Sequence, residues 1–298
     1  HKKNSHASPT PIAEGNRLYV HFGPNGTACL DLAGKVLWKQ DSLEYPPTHG
    51  NGSSPILVDE KLIFNCDGAK NPFVIALAKE SGKVIWKRAR KSGASRKFSF
   101  STPLLITVNG RKQVISVGSG VIYGLNPDNG HVIWEVGTDQ GYSVIPRPVF
   151  AHGLVYVSTG FNKAKLLAIN PNGHGDVSET HVRWQVSRGI SKTPSFIVVG
   201  AEIYVIADNG VATCFDAKTG EEHWNERIGG NYSASPTHAD GKIYFHSEQG
   251  KTVVLKPGRS FKVLGTSELG EKTFASLAVS NDALYQRSES HLYKIQQQ

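Results

Sequence analysis

The sequence has no methionine, only three cysteines and no uninterrupted apolar run of membrane-spanning length. Each absence excludes something. With no initiator residue and no basic-then-apolar leader at its start, the chain is expected to be processed or cut from a longer precursor. Cys29, Cys66 and Cys214 are odd in number and lack CxxC spacing, which argues against a disulfide framework and against a zinc site. A membrane helix needs about 18 or more consecutive apolar residues, and none is present. Helical periodicity is missing as well: no window sustains apolar residues at i, i+3, i+4 and i+7 long enough to compete with strand-like alternation.

Acidic charge is in deficit, with 25 Asp and Glu against 33 Lys and Arg, a formal net charge of +8. Much of the excess falls in one eleven-residue stretch that holds Lys87, Arg88, Arg90, Lys91, Arg96 and Lys97. It is expected to be a solvated loop between strands whose screened field attracts an anionic partner. Nucleic acid is disfavoured, because no aromatic residue is interleaved for base stacking before Phe98.

What is abundant is repetition. Gly34-Lys35-Val36-Leu37-Trp38 returns at Gly82–Trp86, Gly130–Trp134 and Gly220–Trp224, with His181–Trp184 as a looser copy, so all five tryptophans belong to one pattern. A sixth copy, Phe261-Lys262-Val263-Leu264, places leucine where the ring should be. The tryptophans follow one another at 48, 48, 50 and 40 residues, a period that means a repeated supersecondary unit. Within each repeat, short β-branched and aromatic runs alternate with Gly, Asn and Asp turns, which reads as four antiparallel strands. Four strands per repeat is a propeller blade.

First strands carry a Ser/Thr-Pro signature: Ser8-Pro9, Ser54-Pro55, Thr102-Pro103, Arg147-Pro148, Thr193-Pro194, Ser235-Pro236 and the degenerate Ser276-Leu277. Seven starts, six complete sets of strands and three strands at the end predict an all-β, seven-bladed propeller whose last blade is incompletely closed. The chain is expected to be a single domain over 1–298, with blades near 7–40, 52–88, 100–136, 144–186, 192–226, 233–266 and 274–296. Chain upstream of His1, with part of 1–7, would supply the missing strand.

The stretch Cys214-Phe215-Asp216-Ala217-Lys218-Thr219-Gly220-Glu221-Glu222-His223-Trp224 resembles the A-x-D-x-x-T-G-x-x-x-W tryptophan-docking motif of propellers of the pyrroloquinoline-quinone type. Cys29-Leu30-Asp31 with Gly34 to Trp38 is a version one residue shorter. Together with Asn4–Pro11, Gly141-Tyr142-Ser143 and Asn231–Pro236, these residues are similar to exported bacterial PQQ-binding-like β-propeller repeat proteins. The resemblance implies a periplasmic or otherwise extracytoplasmic monomer that binds a small anionic ligand, a glycan or a protein segment without catalysis. Two alternatives follow from the same resemblance: a quinone-dependent oxidoreductase, and a scaffold like the lipoprotein of the outer-membrane barrel-assembly machine. Quinoprotein dehydrogenases use an adjacent cysteine pair, a calcium site, an aspartate base and a tryptophan platform. Here no cysteines are adjacent and no calcium-ligand pattern maps onto the chain. No cofactor is therefore expected, with pyrroloquinoline quinone plus calcium as the alternative, and neither catalytic nor metal-ligating residues are assigned.

In this frame Trp38, Trp86, Trp134, Trp184 and Trp224 are structural, each ring filling a gap between blades. Cys29 and Cys214 fall in the column that holds Ala76 and Gly124, as small core residues. Candidates for binding are departures from the repeat. Arg147 replaces Ser or Thr before the first-strand proline, and Lys192 breaks a column of small residues one position back. Two cations near the channel mouth suit a carboxylate, sulfate or phosphate; the plainer alternative is an arginine tied to channel carbonyls. The connections on that face add His6, His49, Asn51, Tyr142, Asn231 and Tyr232, a polar and aromatic rim.

Overall fold

The computed structural model describes residues 4–5, 7–138 and 141–296. Its contacts divide the chain into two compact units, His1–Lys163 with Ile169–Val182, and Ala164–Ala168 with Arg183–Gln298. Both are built of antiparallel meanders, and helical structure among the described residues is limited to one 3-10 turn, Gly23–Asn25.

The first unit holds three complete sheets. The first runs Ile12–Glu14, Arg17–His21, Thr27–Asp31, Val36–Gln40, and the second Ile56–Val58, Lys61–Cys66, Phe73–Ala78, Val84–Ala89. The third runs Leu104–Val108, Arg111–Gly118, Val121–Leu125, Val132–Gly137, and gains a short parallel strand, Gly175–Asp176, on its outer edge. A fourth set of strands, Val149–Ala151, Leu154–Ser158, Leu166–Ile169 and Val182–Val186, contains the point at which the units divide. The second unit holds Ile197–Val199, Glu202–Ile206, Val211–Asp216, Glu222–Arg227, then Thr237–Ala239, Lys242–His246, Lys251–Leu255, Val263–Glu268. It ends in a three-stranded sheet, Ala278–Ser280, Ala283–Arg287, Leu292–Gln296.

Second and third strands are the buried layers. Lys61–Cys66 and Phe73–Ala78 are almost wholly buried, while the outer strand Val84–Ala89 is mostly exposed. This gradient explains why inner runs are continuously apolar whereas the outer strand mixes Val and Ile with Lys and Arg.

The tryptophan column has a specific register. Trp38 faces Cys29, Trp86 faces Ala76, Trp134 faces Gly124 and Trp224 faces Cys214, and a β-bulge follows each pair. The facing residue is small because the ring lies over it: a Cβ on Gly124 would come within 2.3 Å of the Trp134 ring. Bulges add a residue to one strand, which accounts for the two apolar residues side by side before Trp38, Trp86 and Trp134. The same register pairs Val254 with Gly265, so in the sixth copy the ring position is Gly265 and not Leu264.

Each indole also reaches out. Trp38 Nε1 donates to Lys79 O at 2.8 Å, Trp86 Nε1 to Pro127 O at 2.9 Å, Trp184 Nε1 to Ala217 O at 3.3 Å and Trp224 Nε1 to Gly258 O at 3.2 Å. Each acceptor lies in the turn before the next sheet's outer strand. Trp134 turns instead to Gln113 Oε1 in its own sheet, at 2.7 Å. Glycine is required where the ring lands, since a Cβ on Gly82 would meet Trp38 at 2.5 Å and one on Gly130 would meet Trp86 at 2.5 Å.

First strands are joined through hydroxyls. Thr10 N donates to Ser54 Oγ at 2.9 Å and Ser54 N to Thr102 Oγ1 at 3.1 Å in the first unit. Ser195 N donates to Ser235 Oγ at 3.0 Å and Ser235 N to Ser276 Oγ at 2.9 Å in the second. This ladder corrects the column assignment at two starts. The equivalent residues are Thr10 before Pro11, not Ser8 before Pro9, and Ser195, not Thr193.

A comparison of two turn glycines tests the ring contact. Gly82 and Gly34 occupy equivalent turns with φ of 68° and 88°, but only Gly82 underlies a ring. Gly34→Ala should cost about 1–2 kcal/mol from backbone handedness alone, and Gly82→Ala roughly 1–3 kcal/mol more from overpacking. Urea midpoints for both variants measure the difference; equal losses would show that the Trp38 ring gives way freely.

Candidate functional site

In the first unit, four connections form one candidate surface: 47–55, 90–103, 141–148 and 159–163. At its base is an ion pair. Arg90 Nε donates to Asp67 Oδ1 at 2.9 Å with both side chains fully buried. Arg90 Nη2 also donates to Ser116 Oγ at 2.8 Å and Asn65 Oδ1 at 3.3 Å, and its Cζ lies 5.5 Å from the Tyr123 ring centroid. Burial pushes the Asp67 carboxyl up, and the Arg90 guanidinium opposes that. Asp67 O accepts from Ser99 N at 3.2 Å, so the pair anchors the connection that follows. The expectation of a solvated basic loop is therefore corrected in part. Lys87 and Arg88 belong to the outer strand of the second sheet, and Arg90 is a buried structural cation.

Above that anchor lies an aromatic cluster centred on Phe98. His49 meets Phe98 edge-on at 5.4 Å, Phe100 lies 6.1 Å from it, and Tyr142 is 5.7 Å away. Tyr142 stacks on Phe161 at 6.3 Å, with a backbone bridge between the two residues. The Arg96 guanidinium sits over the Tyr142 ring at 4.7 Å. Phe98 and Phe100 are buried, Tyr142 and Phe161 half-buried, and His49 exposed. Phe98, Phe100 and Phe161 carry no repeat departure; the one signal in the sequence is the Phe98-Ser99-Phe100 alternation, and Phe161 has none.

Backbone conformation is unusual here too. His49, Ser143, Asn162 and Lys163 adopt φ of 66°, 53°, 66° and 64°, which non-glycine residues hold only when their surroundings impose it. Cations predominate: these stretches contain Lys91, Arg96, Lys97, Arg147 and Lys163 besides the buried Arg90, while the acidic residues of the same inter-strand connections, Asp41, Glu44 and Asp139, fall outside them in sequence. Arg147 is exposed, as the sequence suggested. It stands where the ladder would otherwise have a hydroxyl. Asn51, in contrast, is buried: its Oδ1 accepts from Tyr45 Oη at 3.3 Å, and that hydroxyl contacts His21 Nε2 at 3.2 Å. Its rim role is corrected to a packing role, one that fixes 47–55 against the first sheet.

The second unit carries the remaining candidates. Lys192 is exposed, with its backbone N donating to Asp208 Oδ2 at 2.8 Å. Because the ladder residue is Ser195, Lys192 lies outside the small-residue column to which the sequence assigned it. Asn231 is exposed, and its backbone is held by Gln249 Oε1 at 3.0 Å. Tyr232 is a core residue, 1% exposed, and burial pushes its phenol up to about 12, so it is no rim ligand. His6 lies outside the described residues. Burial pushes the Cys29, Cys66 and Cys214 thiols up, Cys214 to about 12, which leaves them inert as nucleophiles. Among the described residues no three His, Cys, Asp or Glu side chains group to hold a metal.

Acid should act on the two units in different ranges. Burial lowers the pKa of His21 to about 4, so its contribution is full above the ordinary value of 6.5 and is lost as pH falls towards 4. In the second unit Glu271 accepts from Ser288, Ser290 and His291, contacts that lower its pKa to about 2. Its contribution is full above 4.5 and is lost between there and 2. Amide exchange along a pH series should show connection 47–55 loosening first and the final sheet later; simultaneous loss would contradict this order.

Comparison with known proteins follows the geometry. A family model described as "Outer membrane protein assembly factor BamB" matches residues 1–180 and 176–257. The outer membrane protein assembly factor BamB of Yersinia pestis is 23% identical over 219 residues, 66% of this chain and 52% of that protein. A tetrathionate hydrolase of Acidithiobacillus ferrooxidans is 26% identical over 264 residues, 80% of this chain and 48% of that protein. The chain thus spans about half the length of the curated relatives it matches. The crystal structure of BamB from Moraxella catarrhalis superposes with a TM-score of 0.73 at 16% identity, over 96% of this chain and 81% of that one. The fold is a β-propeller.

Proposed function

The chain belongs to the family described as outer membrane protein assembly factor BamB, and from that premise we propose a non-catalytic, extracytoplasmic propeller that holds an acidic protein segment on the rim of its first unit. The observation that carries this reading is the rim's chemistry. Tyr142 and Phe161 offer half-buried aromatic surface backed by the buried Phe98, Arg96 lies over Tyr142, and cations outnumber carboxylates in these connections. Aromatic and arginine side chains on a rigid base are the usual anchors of protein interfaces. The Asp67–Arg90 pair provides such a base. The names of the relatives support a place in the assembly of outer-membrane proteins. The reading assigns no cofactor.

A polymer probe tests it. Purified chain should bind a random glutamate–tyrosine copolymer more tightly than polyglutamate, with affinity falling as salt rises. Arg96→Glu with Lys97→Glu should weaken binding roughly tenfold, about 1.4 kcal/mol, and Tyr142→Ala should remove the preference for tyrosine. Binding to an acidic polysaccharide but not to the copolymer would move the assignment to a glycan. Pyrroloquinoline quinone with calcium should not raise the melting temperature; a stoichiometric rise would replace this reading with a quinone enzyme.

A further inference from the structure

The third sheet shows what its own outer edge accepts. Gly175–Asp176 adds in parallel to Val132–Gly137, with Gly175 opposite Trp134 and Asp176 opposite Glu135. Val177 N donates to Glu135 O at 2.9 Å, and Gly137 N donates to Ser178 Oγ at 2.9 Å. The added segment leaves Trp134 fully buried and Val132 and Ile133 half-buried, and Val177 is itself buried.

The second sheet presents the same edge without a cover. Register makes Trp86, Lys87 and Ala89 the equivalents of Trp134, Glu135 and Gly137. Among the described residues no strand pairs outside Val84–Ala89. Val84 and Ile85 are 48% and 44% exposed. At this edge the residue corresponding to Glu135 is a cation, Lys87, held over the Phe73 ring at 3.8 Å, with Arg88 beside it. Other outer strands are poorer matches. In Val36–Gln40 the cation Lys39 is already paired with Asp41 at 2.8 Å, Glu222–Arg227 carries Glu222 and Glu226, and Val263–Glu268 has Gly265 in place of the ring.

We propose that the outer edge of the second sheet, Val84–Ala89, is a strand-addition site for an extended protein segment of the pattern Gly-Asp/Glu-apolar, bound in parallel. The segment's glycine lies against Trp86, its carboxylate faces Lys87, and its apolar residue covers Val84 and Ile85. Its backbone is held by the outward N–H and C=O groups of Lys87 and Ala89, the same main-chain recognition by which extended peptides add to exposed sheet edges. This site rests on the strand geometry of the third sheet and is independent of the rim.

The chain's own sequence supplies the probe. A synthetic peptide copying residues 172–181, which contains Gly175-Asp176-Val177, is added to the full chain and amide exchange is followed. Protection confined to Lys87 and Ala89 is expected, and it should be absent with a scrambled peptide of the same composition. Lys87→Glu should weaken the response at least tenfold while leaving the fold intact by circular dichroism. Lys87→Pro, which removes one outward donor, should abolish it. Absence of protection at 84–89 at millimolar peptide would overturn the proposal and leave Lys87 and Arg88 as guards of a bare edge. Protection that appears at 132–137 instead would also overturn it, since the peptide would then be replacing the strand already present.

Discussion

One contact sets the terms for most of this chain: an indole N–H that donates to the turn of the following sheet while its ring lies on that turn's glycine. Trp38 over Gly82 and Trp86 over Gly130 are the same construction one repeat apart. The ring demands a small partner beneath it, which accounts for Cys29, Ala76, Gly124 and Cys214. A bulge accompanies each such pair, and the same bulge recurs beside Gly265, where there is no ring. Where the ring is missing, at Gly265, the whole outer strand Val263–Glu268 is exposed.

A second set of contacts works on the inner strands. Backbone N–H groups donate to hydroxyls of the next first strand, and the buried serines Ser53 and Ser101 donate to carbonyls. Inner strands can be this polar because each group is paired. Arg147 interrupts the ladder with a side chain that accepts nothing, so the position trades a structural hydroxyl for an exposed charge. Nearby, the buried pair of Asp67 and Arg90 holds the connection bearing Phe98. Buried packing contacts and the rim connections are therefore tied together in the first unit.

The repeat made the sheets legible from sequence, because a tryptophan at fixed spacing and Gly, Asn or Asp at each turn are local signals. Register was less legible. Ser8-Pro9 and Thr10-Pro11 are equally plausible starts on paper, and only the hydrogen bond from Thr10 to Ser54 separates them. Leu264 and Gly265 differ by the single residue that a bulge absorbs. Burial of charge was not legible at all: Arg90 stands among exposed cations in sequence, and its partner Asp67 is 23 residues away. The rim was half visible, since Tyr142, His49 and Arg147 stood out, whereas Phe98 and Phe161 become significant only when distant connections meet.

The three thiols carry a consequence for how this chain must be made. Cys29, Cys66 and Cys214 are each buried within a different sheet. Folded, Cys29 and Cys66 share one apolar core and Cys214 lies in another, and all three are buried as free thiols. Unfolded under oxidising conditions, any two could join in a link that the folded chain does not contain. Under such conditions productive folding becomes a race between sheet formation and thiol oxidation. A chain released slowly or held unfolded there would accumulate crosslinked dead ends that burial of the thiols in the finished protein opposes.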